Sequence, residues 1–375
     1  MRTLDLFAGC GGLSLGLEYA GYEVKLATDF KEYAGKTFLK NFENTDFLVK
    51  DILDIEKNNW KEFRHYKKKI DLVVGGPPCQ GFSEANRQRL SDDPRNKLYK
   101  SFLGAVNFLQ PHSVLMENVQ GITKVSENIL KEFESIGYSG SCYLLNAKYF
   151  GVPQNRLRAF FIFFRGSKKD SDIKNEKINF EIEEEKKNCK NFVLNDALFG
   201  LRELQAKTKK NRTDLESDKH GYKKEVVKDK KVNDFLKKIN KNKEDKTIYN
   251  HLARYNNDRD IEIFRLLPPG QDSLHESIQH LMPYSNRNHI FKDKYFKLDP
   301  QKPSKTITAH MSYDCNMYIH PSQARGLSPR EAARIQTFPD YFEFLGPYGK
   351  WYEQIGNAVP PHLANIIGRA ILRSV

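Results

Sequence analysis

At 375 residues the chain exceeds the usual size of one compact unit, so two domains are expected. Its 61 Lys and Arg against 48 Asp and Glu leave a formal net charge of +13, which points toward a polyanionic partner, although an AT-rich coding bias gives the same lysine excess. Five cysteines at 10, 79, 142, 189 and 315, with no close pairing, argue against a disulfide framework or a Cys-x-x-Cys zinc site, and no apolar run approaches the roughly 20 residues of a bilayer span.

The N-terminus enters a strand-like run without the charged start and long apolar core of a signal peptide, so a soluble, cytoplasmic protein is expected. Residues 1 to about 165 alternate short apolar runs with amphipathic patterns, the signature of a parallel sheet with crossover helices. Strands are expected at 3–7, 23–28, 71–74, 113–116 and 159–164. Leu13, Leu17 and Ala20 share a helical face, as do Leu98, Phe102, Val106 and Leu109, and again Ile129, Phe133 and Ile136. Gly21 and Gly137 are placed to stop the first and third of these helices. From about 166 to 250 the texture turns to Lys, Glu, Asp and Asn, as in 181–190, and reads as surface insertion or partly disordered chain. Apolar content returns at 261–267, a Pro-Pro-Gly turn follows at 268–270, and a helical pattern spans 362–372. No fixed-period repeat suggests a solenoid.

The first strand runs into Asp5-Leu-Phe7-Ala8-Gly9-Cys-Gly11-Gly12, so glycines open the turn where a helix begins and let backbone approach a ligand. A dinucleotide fingerprint would place its third glycine at Ser14. Asp29, about 20 residues on, suits the ribose hydroxyls of an adenosine-type cofactor, or caps the next helix. Gly75-Gly-Pro-Pro-Cys79-Gln80-Gly-Phe-Ser83 follows the 71–74 strand and displays a thiol in a rigid turn where open α/β sheets bind ligands. Glu117 ends another strand and would project into the same crevice, where confinement tends to raise a carboxyl pKa; helix capping is its blander role. His275-Glu-Ser-Ile-Gln279 lacks the second histidine of a zinc helix, and no metal is expected.

In their order, these motifs resemble the C5-cytosine DNA methyltransferase family of bacterial restriction–modification type. Asp51-Ile52, Gln154-Asn-Arg156-Leu-Arg158, the run from Arg325-Gly-Leu-Ser-Pro-Arg330-Glu331 to Gln336-Thr-Phe-Pro339, and Gln354-Ile-Gly-Asn357-Ala-Val359-Pro360 carry the resemblance over nearly the whole chain. The resemblance implies an α/β fold: a doubly wound, mostly parallel, Rossmann-like sheet with a smaller inserted target-recognition domain. The expected division is 1–201 for the first part of the catalytic domain, 202–320 for target recognition, and 321–375 for a hinge and the return segment. S-adenosyl-L-methionine is the implied cofactor, with Phe7, Ala8, Gly9, Gly11, Gly12, Asp29, Phe30, Asp51, Ile52, Pro78, Asn357 and Val359 at its pocket.

Cytosine carbon 5 is a poor nucleophile until a thiolate adds at carbon 6, and the resemblance gives that role to Cys79. Glu117, protonated, would meet the N3 edge, with Arg156 and Arg158 positioning the base, Arg158 foremost. The cytosine would be flipped out of double-stranded DNA, and residues 80–99 would close over it as a mobile loop. DNA contacts are expected from Gln80, Ser83, Arg87 and Arg95, and in the recognition segment from Arg254, Arg259 and Arg287. A monomer associated with the bacterial nucleoid and paired with a restriction endonuclease completes the expectation. A tRNA methyltransferase of the same family would carry a Cys-Phe-Thr tripeptide, absent here, and an inactive relative would have lost Cys79 or Glu117.

Overall fold

The computed structural model describes residues 1–78, 96–210, 215–229, 231–241, 243, 245–282 and 294–375. It divides into two compact units: unit 1 holds Met1–Gly151, Leu157–Lys190 and Ala358–Val375, and unit 2 holds Val152–Arg156 and Asn191–Asn357.

Unit 1 is built on a seven-stranded sheet of β1 (Arg2–Leu6), β2 (Glu23–Asp29), β3 (Asp46–Val49), β4 (Leu72–Gly75), β5 (Ser113–Val119), β6 (Tyr138–Asn146) and β7 (Leu157–Arg165), in the order β3-β2-β1-β4-β5-β7-β6. The first five strands pair in parallel, and β7 runs antiparallel to both β5 and β6. The chain winds outward from β1 to β3 and then returns to β4, so the carboxyl ends of β1 and β4 flank the topological switch point, where such sheets open a ligand crevice. Strands covered on both faces read as unbroken apolar runs. All four residues of β4 are buried, as is the Phe160–Phe164 stretch of β7.

Between the strands lie α1 (Gly12–Tyr19), α2 (Glu32–Asn41), α3 (Ile52–Lys57), α4 (Asn96–Leu109), α5 (Ser126–Ser135) and α6 (Lys168–Asn188). The anticipated faces are the buried ones: Phe102, Val106 and Leu109 join the core with Ile129 and Phe133, and Phe133 stacks on Phe163 with ring centroids 3.8 Å apart. Gly21 and Gly137 follow α1 and α5 with φ of 97° and 85°, the left-handed stop expected of them.

In unit 1 the sequence pattern did not delimit the strands β3 and β6 or the helices α2, α3 and α6. β3 is a four-residue edge strand without a fully buried position, and β6 is an edge strand whose Tyr-Ser-Gly-Ser-Cys start carries little apolar signal. The polar stretch after 166 holds the 21-residue α6, whose inward positions are Ser171, Asn175, Ile178 and Ile182. Their spacing is helical, but half of them are polar. α6 packs against α12 (Pro361–Ser374), numbered after the helices of unit 2, and Arg369 and Arg373 of α12 pair with Glu185 and Glu181. α12 also lies against α1. A Cβ on Gly16 would fall 2.3 Å from Pro361 O and 2.4 Å from Ala364 Cβ, so only glycine allows this approach.

Unit 2 contains α7 (Leu194–Leu198), β8 (Gly221–Val226), α8 (Asp234–Ile239), β9 (Thr247–Leu252), α9 (Asp258–Leu266), α10 (Pro329–Ile335) and α11 (Tyr348–Asn357), with β8 and β9 antiparallel. Much of its interior is polar and closed on itself. Arg325 grips Glu331 at 2.6 and 2.8 Å, Ser328 and Glu331 form a capping box at the start of α10, and His251 Nδ1 lies 2.9 Å from Ser328 Oγ. Arg334 pairs with Asp340 at 2.6 and 3.0 Å, and Arg330 donates to the carbonyls of Tyr249 and Pro339.

Burial pushes His251 down to about 4 and His320 to about 3, so both rings are neutral in the folded protein near neutral pH. The unfolded chain takes up protons below about pH 6.5 while the folded chain does not, so their contribution is complete above that pH and is lost as pH falls through the folded values. Melting temperature is therefore expected to drop from pH 6.5 toward 4, and to drop less in the His251→Gln/His320→Gln variant. An identical slope in the variant would refute this assignment.

Candidate active site

Three residues with positive φ turn the chain at the carboxyl end of β1: Phe7 at 62°, Gly9 at 57° and Gly11 at 92°. A left-handed phenylalanine costs about 1 kcal/mol or more, and such strain gathers at ligand-binding turns. Gly11 must stay bare because a Cβ would sit 2.5 Å from the Phe42 ring, whereas a Cβ at Gly9 would meet nothing within 4 Å, so open space faces the turn there. Gly12 starts α1, and Ala8 N–H donates to Thr28 O at 2.9 Å, tying the turn to β2.

Asp29 ends β2 with one carboxylate oxygen accepting from Gly9 N–H at 3.0 Å and the other from Lys31 N–H at 2.9 Å. The N-cap of α2 is Lys31, without a side-chain bond, so Asp29 belongs to the turn and not to a helix cap. Burial raises its carboxyl above the ordinary range despite these donors. Beside it Phe30 is 59% exposed, an unusual display for an aromatic ring. Asp51 caps α3 through Leu53 N–H at 2.9 Å, and Ile52 is buried. Val359 is buried in unit 1, Pro78 is half-buried, and Asn357 is exposed at the end of α11 in unit 2. An exposed ring, a half-buried carboxylate and bare glycine backbone fit an adenosine-type group.

Ser14, where the dinucleotide fingerprint would have glycine, donates to Asp5 at 2.6 Å beneath this turn. Burial pushes the Asp5 carboxyl up to about 7. The sequence reading saw Ser14 only as a missing glycine.

The second half of the site forms at the ends of β4, β5 and β7. In the β5–β7 ladder Glu117 faces Phe160 and Val119 faces Arg158, so Glu117 and Arg158 are diagonal neighbours on one face. Arg158 Nε lies 3.2 Å from Glu117 Oε1, and both side chains are largely buried. A Cβ on Gly76 would lie 3.2 Å from Glu117 Oε2, and Asn118 Nδ2 donates to Pro77 O at 2.9 Å. The backbone that leads into Cys79 is thus fastened to β5 beside the Glu117 carboxylate. Sequence reasoning missed Asn118, although its place next to Glu117 at the end of the same strand was the available signal.

Cys79, Gln80, Ser83, Arg87, Arg95 and Arg287 lie outside the described residues. Arg156 and Arg158, two residues apart, enter different units. Arg156 is 1% exposed and donates to Ile307 O at 2.8 Å and Gly356 O at 3.2 Å in unit 2, where Gln154 bonds Ile307 N–H and Gln336 at 2.7 Å each. Arg158 alone reaches the carboxylate. Arg254 turns inward onto Met311 O, Tyr313 O and Cys315 Sγ, and Arg259 is exposed with Asp260 at 3.9 Å. Among the described residues there is no group of three or more His, Cys, Asp or Glu able to hold a metal, and no helix long and apolar enough to cross a membrane.

The family model for C-5 cytosine-specific DNA methylase matches residues 1–373. The chain is 33% identical to the type II methyltransferase M.DdeI of Desulfomicrobium norvegicum over 397 aligned residues, covering 99% of this chain and 88% of that one. It is 32% identical to the type II methyltransferase M1.HphI of Haemophilus parahaemolyticus, covering 100% and 87%. Among solved structures, a protein assigned as a DNA modification methyltransferase encoded within an Escherichia coli prophage superposes with a TM-score of 0.75 at 28% identity, covering 100% of this chain and 99% of that one. With the strand order and the motifs carried at the strand ends, these matches establish that the chain belongs to the C-5 cytosine-specific DNA methylase family and is a DNA cytosine-5 methyltransferase.

Proposed function

We propose that the protein methylates cytosine carbon 5 within a short specific site of double-stranded DNA, through a covalent Cys79 adduct on a flipped-out base, and serves a restriction–modification system as its type II relatives are named to do. The observation that supports this most is the Glu117–Arg158 pair at 3.2 Å, held beside the backbone that leads into Cys79.

The Cys79 thiolate adds to ring carbon 6, forming the S–C6 bond and pushing electron density toward N3, where Glu117 supplies a proton or hydrogen bond. Arg158 holds that carboxyl in place, while Arg156 acts at a distance by fixing the segment that precedes β7. S-adenosyl-L-methionine, when bound, supplies an electrophilic sulfonium methyl to the carbon 5 that this addition has made nucleophilic. A base, water in our reading, then takes the hydrogen from carbon 5, the C5–C6 double bond re-forms, and the thiolate departs. Phe7, Asp29 and Phe30, with the glycine turn and the Asp51–Ile52 corner, would hold the adenosine. Residues 202–320 would read the target, flanked by catalytic segments 1–201 and 321–375.

Bisulfite sequencing of DNA from cells expressing the protein should show one methylated sequence, and a duplex carrying 5-fluorocytosine at that cytosine should trap the protein as a denaturation-stable adduct. Turnover on ordinary DNA without a trapped adduct would sink the covalent step.

A further inference from the structure

We infer that the exposed lysines described within residues 207–246, although inside the segment proposed to read the target, dock phosphates of the duplex flanking that target and take no part in choosing the sequence. The inference rests on the DNA-methylating reading and narrows where its specificity lies.

These 40 residues hold fifteen Lys and Arg against eight Asp and Glu, an excess of seven out of the chain's +13. The structure shows why the excess is not cancelled locally. Asp218 and Glu225 pair with Arg202, which lies outside the segment, at 3.3 and 3.1 Å. Glu216 accepts from Lys223 N–H at 2.8 Å, and Asp245 accepts from Thr247 N–H at 2.7 Å. Lys209, Lys210, Lys219, Lys228 and Lys237 are exposed and have no ion-pair partner among the described residues. Asp218 and Glu225 are thus engaged by an arginine from outside the segment and Glu216 by backbone, while these five ammonium groups stand exposed to solvent.

The same residues are poor readers of base edges. Lysine shares guanine readout with arginine, but its ammonium is a point charge on a flexible stem, without the planar fork of Arg or the paired donor and acceptor of Asn and Gln, and it suits phosphate in any sequence. The asparagines described here are engaged within the fold. Asn233 caps α8 and donates to Asp196 O at 2.9 Å, and Asn240 exchanges hydrogen bonds with Asp340 at 2.8 and 3.3 Å. What the segment offers to DNA is charge without direction, which strengthens binding to every sequence alike.

The test uses the full chain with Lys209, Lys210, Lys219 and Lys228 each replaced by Gln. Binding to a duplex lacking the target, measured across salt, should lose about 0.9 in log–log slope per phosphate contact removed, roughly 2 to 4 for the set. The parent should bind a target duplex with long flanks more tightly than a minimal one, the variant should bind the two alike, and bisulfite reads should show the same methylated site for both. Arg at the four positions should restore the slope, which separates lost charge from lost folding. Lys169→Gln/Lys177→Gln on α6 should leave the slope in place. A parental slope in the four-Gln variant, an equal loss in the α6 variant, or a changed methylation site would each overturn the inference. A parent that binds DNA steeply yet methylates nothing would instead defeat the proposed function and leave this surface standing.

Discussion

Cys79→Ala is expected to bring labelled methyl incorporation into target DNA down to background, while binding of DNA and of S-adenosyl-L-methionine stays within a few-fold of the parent. In the proposed mechanism only the covalent step needs the sulfur, which activates carbon 5 by adding at carbon 6. Glu117→Gln should be the milder lesion, a loss of about 10²- to 10⁴-fold in kcat, the usual contribution of a positioned acid or base. The amide keeps a hydrogen-bond donor but has no proton to give, and it no longer balances the Arg158 guanidinium 3.2 Å away. Arg158→Ala should fall between parent and Glu117→Gln, since the carboxyl remains but its holder is gone. Incorporation by Cys79→Ala at a parental rate would remove Cys79 from the mechanism, and a Glu117→Gln variant with unchanged kcat would remove the carboxyl.

The sheet was legible in the sequence wherever both faces of a strand are covered, because burial on two sides leaves an unbroken apolar run such as Leu72 to Val74 or Phe160 to Phe164. It was illegible at the margins. β3 and β6 pair on one side only and need few apolar residues, and α6 turns Ser171 and Asn175 inward beside Ile178 and Ile182. In the site, residue types announced the turn, the acid and the strand that carries it, but not which partner each would find. The resemblance set Arg158 before Arg156 without giving either a partner. They separate because one continues into β7, where strand geometry aims it at Glu117, and the other precedes it and is drawn to the carbonyls of Ile307 and Gly356. Arg254, expected by its chemistry among the DNA contacts, has its guanidinium on the carbonyls of Met311 and Tyr313 and the Cys315 thiol, a circumstance only the folded chain reveals.

The run from Arg325 to Pro339 entered the sequence reading only as a family motif, and its structure predicts a large effect on stability. Arg325 and Glu331 are each 1% exposed and meet in a two-pronged pair at 2.6 and 2.8 Å. Glu331 also accepts from Ser328 N–H at 2.7 Å, with His320 Nε2 at 3.6 Å, and the Arg325 guanidinium holds its carboxyl far below the usual range against the opposing effect of burial. Arg325 further donates to Gly326 O at 3.0 Å and Gln323 Oε1 at 2.8 Å. Glu331→Ala leaves a buried guanidinium without its counter-charge and breaks the α10 capping box, so a loss of about 3–5 kcal/mol is expected by denaturant titration, a large part of the roughly 5–15 kcal/mol that folded proteins hold. Arg325→Met should cost a similar amount, by stranding the carboxylate. The double variant Arg325→Met/Glu331→Leu removes both charges together, and should be destabilised by less than the sum of the two single changes, because neither ion is left alone in the interior. Additive losses across this cycle would mean that the pair is not coupled, and a Glu331→Ala protein within about 1 kcal/mol of the parent would mean that the polar interior of unit 2 rests on other contacts.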